Sequence, residues 1–153
     1  MIFIRKAQDG MSISFDFPAQ LENIDQVCTR TEQFLSSKNI TGEAFDVLLL
    51  LREMVNNAVI HGCKQNRDLH VGVHIALSHN MLHMDIQDQG NGFDWQSRLI
   101  AADVDSEACS GRGIHIVKCY ADSCTFNASG NRVQIQKKVS FQPCPRQGGN
   151  TCN

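Results

Sequence analysis

The chain has no dense run of lysine and arginine, no C-x-x-C pair, and no apolar stretch near the roughly 18–20 residues that span a bilayer. Each absence removes a class of function. With a formal net charge of −2 and no basic patch, there is no electrostatic footprint for direct nucleic-acid binding. With no charged-then-apolar leader, nothing in the sequence marks a secretory signal or a membrane anchor. The 7 cysteines (Cys28, Cys63, Cys109, Cys119, Cys124, Cys144 and Cys152) are odd in number and scattered. That pattern fits reduced thiols in a cytoplasmic protein better than a disulfide framework, and most of them read as small packing residues. No internal repeat is present. What the chain does have is 42% hydrophobic against 20% charged residues over 153 positions, enough for one core without metal or disulfide staples.

Periodicity supplies the elements. Ile2 to Ala7 and Met11 to Phe17 read as strands joined by Gln8-Asp9-Gly10, an Asp-Gly step that favours a hairpin turn. After Pro18, Leu21, Ile24, Cys28, Thr31 and Leu35 mark an amphipathic helix to about Lys38. A second helix follows, with Thr41 as its expected cap, Glu43 near its positive end and Gly62 as its terminator. Strands are predicted at Leu69–Leu77 and Met81–Gln87, a short helix at Asp94–Ala101, and a helix from Gly113 to Ala121. Two last strands, Cys124–Asn127 and Arg132–Val139, turn around Ser129-Gly130-Asn131. The implied fold class is α+β: a two-layer sandwich with helices on one face of a mixed, mostly antiparallel sheet. Residues 1–140 form the expected domain. Residues 141–153, with two prolines, two glycines and little apolar content, read as a flexible tail.

The polar residues of the second helix carry the chemistry. Glu53, Asn57 and His61 recur every four residues, so an α-helix lines a carboxylate, an amide and an imidazole along one stripe. Leu48, Leu51, Val55 and Val59 form the opposite, apolar stripe. Glu53 can act as a general base or merely solvate the helix. Asn57 is a mediocre helix former beside Asn56, and its amide oxygen suits Mg²⁺, which takes few protein ligands. His61 reads more simply as a helix C-terminal cation. Downstream, Asp88 ends an alternating strand. Its carboxylate can accept a hydrogen bond from an exocyclic amine such as that of adenine, or can close an Asx-turn. Gly90 and Gly92 permit close backbone approach. Gly111-Arg112-Gly113 opens a helix whose amides can bind phosphate, with Arg112 as an added charge.

In this order, E-x-x-x-N, D-x-G-x-G and G-x-G before a helix, the chain resembles the anti-sigma-factor serine/threonine kinases of the Bergerat (GHKL) ATPase superfamily, which share the histidine-kinase-like ATPase fold. The resemblance runs from about Met11 to Val139 through Glu53–Gly62, Asp88–Phe93 and Ser110–Val117. No G-x-x-x-x-G-K-[ST] is present, which excludes a P-loop, and the protein-kinase signatures are missing as well. The resemblance implies Mg²⁺ and ATP as cofactors, with Asn56, Asn57, Asp88, Gly90, Gly92, Ser110, Gly111, Arg112 and Gly113 at the nucleotide. It implies Glu53 as the catalytic base, Asn57 as the metal ligand, and Asp103–Ser110 as part of a short lid. It further implies partner switching: transfer to a serine or threonine of a STAS-domain antagonist, and sequestration of a sigma factor or similar regulator. A second copy of the chain is also among the partners it allows.

Two other classes stay open. One is a non-catalytic ATP-binding module that acts by sequestration alone; the other is the ATP-binding part of a sensor histidine kinase. The second is disfavoured because only about ten residues precede Met11, too few for a helix pair bearing a phosphoacceptor histidine. A metal reading of His70, His74, His83 and Asp85 on one sheet surface competes with that of an ordinary solvated face.

Overall fold

Strict alternation along the central strands builds the inner layer of the protein. The structure is a computed structural model that describes residues 1–92, 94, 95, 97 and 112–142, and of Arg112 and Ile114 the backbone alone. Six strands form one sheet in the order β1-β2-β3-β4-β6-β5. They are β1 (Phe3–Lys6), β2 (Ser12–Pro18), β3 (His70–Ser78), β4 (Met81–Asp88), β5 (Ser123–Phe126) and β6 (Arg132–Lys138). Cross-strand register lines up Phe15, Val73, Ile86 and Val133 in one row, and Ile13, Ile75, Met84 and Ile135 in the next. All eight side chains are buried. Because side chains alternate with period two, one shared register puts every one of these rows on the same face.

Helices α1 (Leu21–Ser37) and α2 (Ala44–Asn56) cover that face, joined by α3 (Arg112–Tyr120). From α1, Ile24, Val27, Cys28, Phe34 and Leu35 enter the core; from α2, Val47, Leu50, Leu51, Met54 and Val55 do so. Burying each large aliphatic or aromatic side chain contributes about 1.5–3 kcal/mol. Thr31 is buried too, its hydroxyl donating to the Val27 carbonyl at 2.9 Å.

The two-layer α+β sandwich is the predicted architecture, with differences in detail. Every strand pairing among the described residues is antiparallel, so the mixed component of the expected sheet is not among them. Helix α2 starts at Ala44 with Glu43, not Thr41, in the cap position and no side-chain cap bond. The Glu43 carboxylate is instead engaged with the Ser140 hydroxyl at 2.6 Å, which ties the end of the domain to the start of α2. The first hairpin turns as expected, with Gly10 at φ 67° and Asp9 Oδ1 accepting from the Met11 amide at 2.9 Å. The predicted helix at Asp94–Ala101 lies largely outside the described residues, as does the tail from 143 onward. No helix among the described residues is long and apolar enough to cross a membrane.

Candidate functional site

Helix α2 changes character at the residue where its polar stripe begins to matter. Asn57–Gly62 continue it as a single π-helical turn, in which the Cys63 amide bonds the Ala58 carbonyl five residues back at 2.8 Å. The expected Glu53-Asn57-His61 stripe is therefore broken. The wider π turn rotates the residues after Asn57 relative to an α-helix; Gly62 is buried here and His61 is exposed. Glu53, Asn56 and Asn57 are half-buried.

The start of α3 packs over this face. A β-carbon on Gly113 would come 3.1 Å from Asn57 Nδ2 and 3.6 Å from Glu53 Oε2, so the helix approaches the two side chains as closely as a glycine allows. Arg112 opens α3 through its backbone. Ser110 and Gly111, with the expected lid at Asp103–Ser110, lie outside the described residues.

Asp88 closes β4 on the inner face, in phase with Leu82, Met84 and Ile86, and is 4% exposed. Its backbone amide bonds the Asn131 carbonyl at 2.9 Å, and its Oδ1 accepts from the Gly90 amide at 2.8 Å. The Asx-turn and the ligand-ready carboxylate are thus not alternatives: one oxygen makes the turn and leaves the other available. Burial pushes the Asp88 carboxyl above the usual carboxylate range, opposed by the Gly90 N–H. Burial, with the Asp88 charge adding to it, also raises the neighbouring Cys63 thiol.

Three glycines let these parts touch. A β-carbon on Gly62 would meet the Asp88 carboxylate at 2.5 Å, and one on Gly90 would meet the Gly62 carbonyl at 1.9 Å. Gly92, at φ 74°, runs against the β5–β6 turn, where a β-carbon would lie 1.8 Å from the Ser129 carbonyl. That turn is braced by Trp95, whose Nε1 donates to the Asn127 carbonyl at 3.1 Å and whose ring stacks on Phe126. Sequence reasoning assigned Gly62 only a helix-ending role and gave the 127–131 turn none.

Between α2 and the sheet lies a narrow cavity of about 10 Å³ lined by Met54, Asn57, Ala58, Ile86, Asp88 and Val133, among others. A larger hollow of about 340 Å³ lies beyond Phe126, walled by Trp95, Val117 and Cys124, and touches none of the predicted site residues. The narrow cavity is the one that brings two predicted site residues, Asn57 and Asp88, together. It holds about one water, so seating a purine base there requires its walls to part.

On the outer sheet face His70 and His74 are engaged separately. His70 pairs with Asp16 at 2.6 Å, His74 meets the Ser14 hydroxyl at 2.8 Å, and the Arg132 guanidinium grips Asp85 at 2.9 and 2.5 Å. Among the described residues no group of three or more His, Cys, Asp or Glu could hold a metal, which removes the metal reading of that face.

Residues 17–137 match the histidine kinase-like ATPase domain family. The chain is also 25% identical over 141 residues to the anti-sigma F factor of Bacillus velezensis, and equally to the anti-sigma F factor of Bacillus subtilis. Each alignment covers 87% of this chain and 94% of the relative.

Proposed function

This chain belongs to the histidine kinase-like ATPase domain family, and from that membership we propose that it is an ATP-dependent serine/threonine protein kinase of the anti-sigma type. The observation that carries the reading is the close approach of Gly113 to both Glu53 and Asn57, with Asn57 and the Asp88 carboxylate lining one narrow cavity. A base-recognising acid, an amide oxygen donor and a second carboxylate are the parts that phosphoryl transfer from ATP asks of a protein, since catalysis there is mainly positioning and charge stabilisation.

The roles follow from the chemistry of each group. Asp88, its Oδ1 held by the Gly90 amide, presents its other oxygen to the exocyclic amine of adenine. Asn56 and Asn57 face the nucleotide; the Asn57 amide oxygen is the hard donor that fits Mg²⁺, which retains most of its waters and takes few protein ligands. Bound there, the ion would supply neutralisation of charge on the phosphates. Gly90 and Gly92 shape the turn beside the nucleotide, and Ser110, Gly111, Arg112 and Gly113 are assigned to the phosphates, the last two lying in the first turn of α3. Glu53, one turn before Asn57, accepts the proton of the attacking hydroxyl.

The acceptor in this reading is a serine or threonine of a STAS-domain antagonist, and the regulated partner is a sigma factor. The matches over 94% of two anti-sigma F factors favour this reading over the ATP-binding part of a sensor histidine kinase. A thermal-shift titration tests the nucleotide step. Mg·ATP at about 100 times its Kd should stabilise the fold by about 2.7 kcal/mol; an unmoved melting temperature at millimolar Mg·ATP would refute it.

A further inference from the structure

Asp88 is a buried carboxylate held from below by a residue with no side chain. Gly62 offers its bare Cα to the Asp88 carboxylate, and a β-carbon there would lie 2.5 Å from Cγ and from both oxygens. The Gly62 carbonyl in turn supports Gly90, whose amide donates to Asp88 Oδ1 at 2.8 Å. The three residues thus form a closed set of contacts: Gly62 against Asp88, Gly90 against Gly62, and Gly90 bonded to Asp88.

The π-helical turn is what brings Gly62 into that set. In an uninterrupted α-helix, five residues advance the chain about 140° beyond a full turn, and Gly62 would face away from the side of α2 that carries Asn57. With bonds five residues back, as from the Cys63 amide to the Ala58 carbonyl, the wider turn swings Gly62 back toward the side that carries Asn57, where it meets Asp88. Turns of this kind inside α-helices recur at functional sites.

We infer that Gly62 is a positioning residue for base recognition: the π-helical turn sets its bare Cα beneath Asp88, and the space of the missing side chain fixes where that carboxylate points. The inference rests on the reading of Asp88 as the group that accepts from the adenine amine. It adds that the fidelity of that contact is set from α2, the same element that carries Glu53 and Asn57. A methyl group at position 62 displaces the Asp88 carboxylate, because at 2.5 Å something must shift and the opposing atoms are the end of a side chain whose backbone is held in a paired strand.

The test compares ATP with purine riboside triphosphate, which lacks the exocyclic amine, by calorimetric titration of the full chain and of Gly62→Ala. Wild type should prefer ATP by about 10- to 100-fold, the range for a hydrogen bond to a charged group. Gly62→Ala should lose that preference: ATP affinity falls to the level of the analogue, while analogue affinity stays within about twofold. A merely structural role would lower both alike. Full discrimination in a folded Gly62→Ala protein would overturn the inference. Absence of discrimination in wild type would instead overturn the reading of Asp88 on which it rests. Should Gly62→Ala fail to fold, the double variant Gly62→Ala/Asp88→Gly decides. Recovery of the melting temperature identifies the Asp88 carboxylate as the group displaced, and continued failure to fold contradicts it.

Discussion

Gly113 of α3 stands so close to Asn57 of α2 that a β-carbon on the glycine would lie 3.1 Å from the Asn57 amide nitrogen. Two effects of Gly113→Ala then oppose one another. Alanine is favoured over glycine by about 0.5–1 kcal/mol in a helix interior and by less in a first turn such as this, but the added methyl pushes the Asn57 side chain aside by a few tenths of an ångström. Gly113→Ala should keep or raise the melting temperature of the free protein and lower Mg·ATP affinity several-fold, and Gly113→Val should lower it further. Unchanged affinity in both variants would show that Asn57 tolerates displacement.

Asp88→Asn should separate stability from binding in the opposite sense to most site mutations. Burial raises the carboxyl above its ordinary value, so its contribution to stability is greatest below the unfolded value of about 3.9 and is lost as pH rises through the elevated folded value. At neutral pH the buried charge is a cost that the amide removes. The variant should melt at a higher temperature than wild type in the absence of nucleotide and bind ATP about 10- to 100-fold more weakly. A lower melting temperature would mean that Asp88 is stabilised by more than the Gly90 bond.

The outer face predicts an acid-dependent effect. The Arg132 guanidinium beside Asp85 holds its carboxyl below the usual range, so this pair stabilises the fold above about pH 3.9 and the contribution is lost as pH falls through the depressed folded value. Both partners are partly exposed, so solvent screening keeps the effect small. Arg132→Ala should show that deficit in urea denaturation at pH 7, and the gap from wild type should narrow at pH 3. A gap independent of pH would assign the loss to packing of the arginine stem.

At the C-terminus, the domain is proposed to end a little later than composition alone suggests. Val139 is 3% exposed with its amide bonded to the Asn80 carbonyl, Ser140 reaches Glu43, and the Gln142 amide bonds the Asn39 carbonyl. Removing residues 143–153 should leave melting temperature and nucleotide affinity unchanged. Removing everything from Val139 onward should cost about 2 kcal/mol or more through loss of one buried aliphatic residue and its bonds. Equal melting of the two truncations would place the boundary at Lys138.

Much of this was legible because the sheet obeys a period of two. Once Leu82, Met84 and Ile86 are read as inward, Asp88 follows onto the same face, and a polar residue there stands out against its apolar row. The polar face of α2 was legible for the same reason at a helical period. The π turn was not, because its residues, Asn57 to Gly62, have the composition of an ordinary helix, and their packing against β4 is a tertiary contact. Gly62 does end the helix as expected, but its lack of a side chain also serves a tertiary contact with Asp88 that no local pattern encodes. The cap was misread because Thr41 is the better local capper, while Glu43 is recruited by Ser140 from 97 residues away.

Transfer of labelled phosphate from γ-labelled Mg·ATP to a purified STAS-domain partner tests the central claim most directly, run beside nucleotide titrations of wild type, Glu53→Gln and Asn57→Ala. Wild type should label the partner on serine or threonine. Glu53→Gln, which keeps the shape of the side chain but removes the basic oxygen, should abolish labelling while Mg·ATP affinity stays nearly intact. Asn57→Ala should weaken Mg-dependent binding as well, since it deletes the oxygen donor proposed for the ion. Labelling by Glu53→Gln at the wild-type rate, or tight Mg·ATP binding by wild type with no transfer to its cognate partner, would contradict the account; the latter would leave a module that acts by sequestration alone.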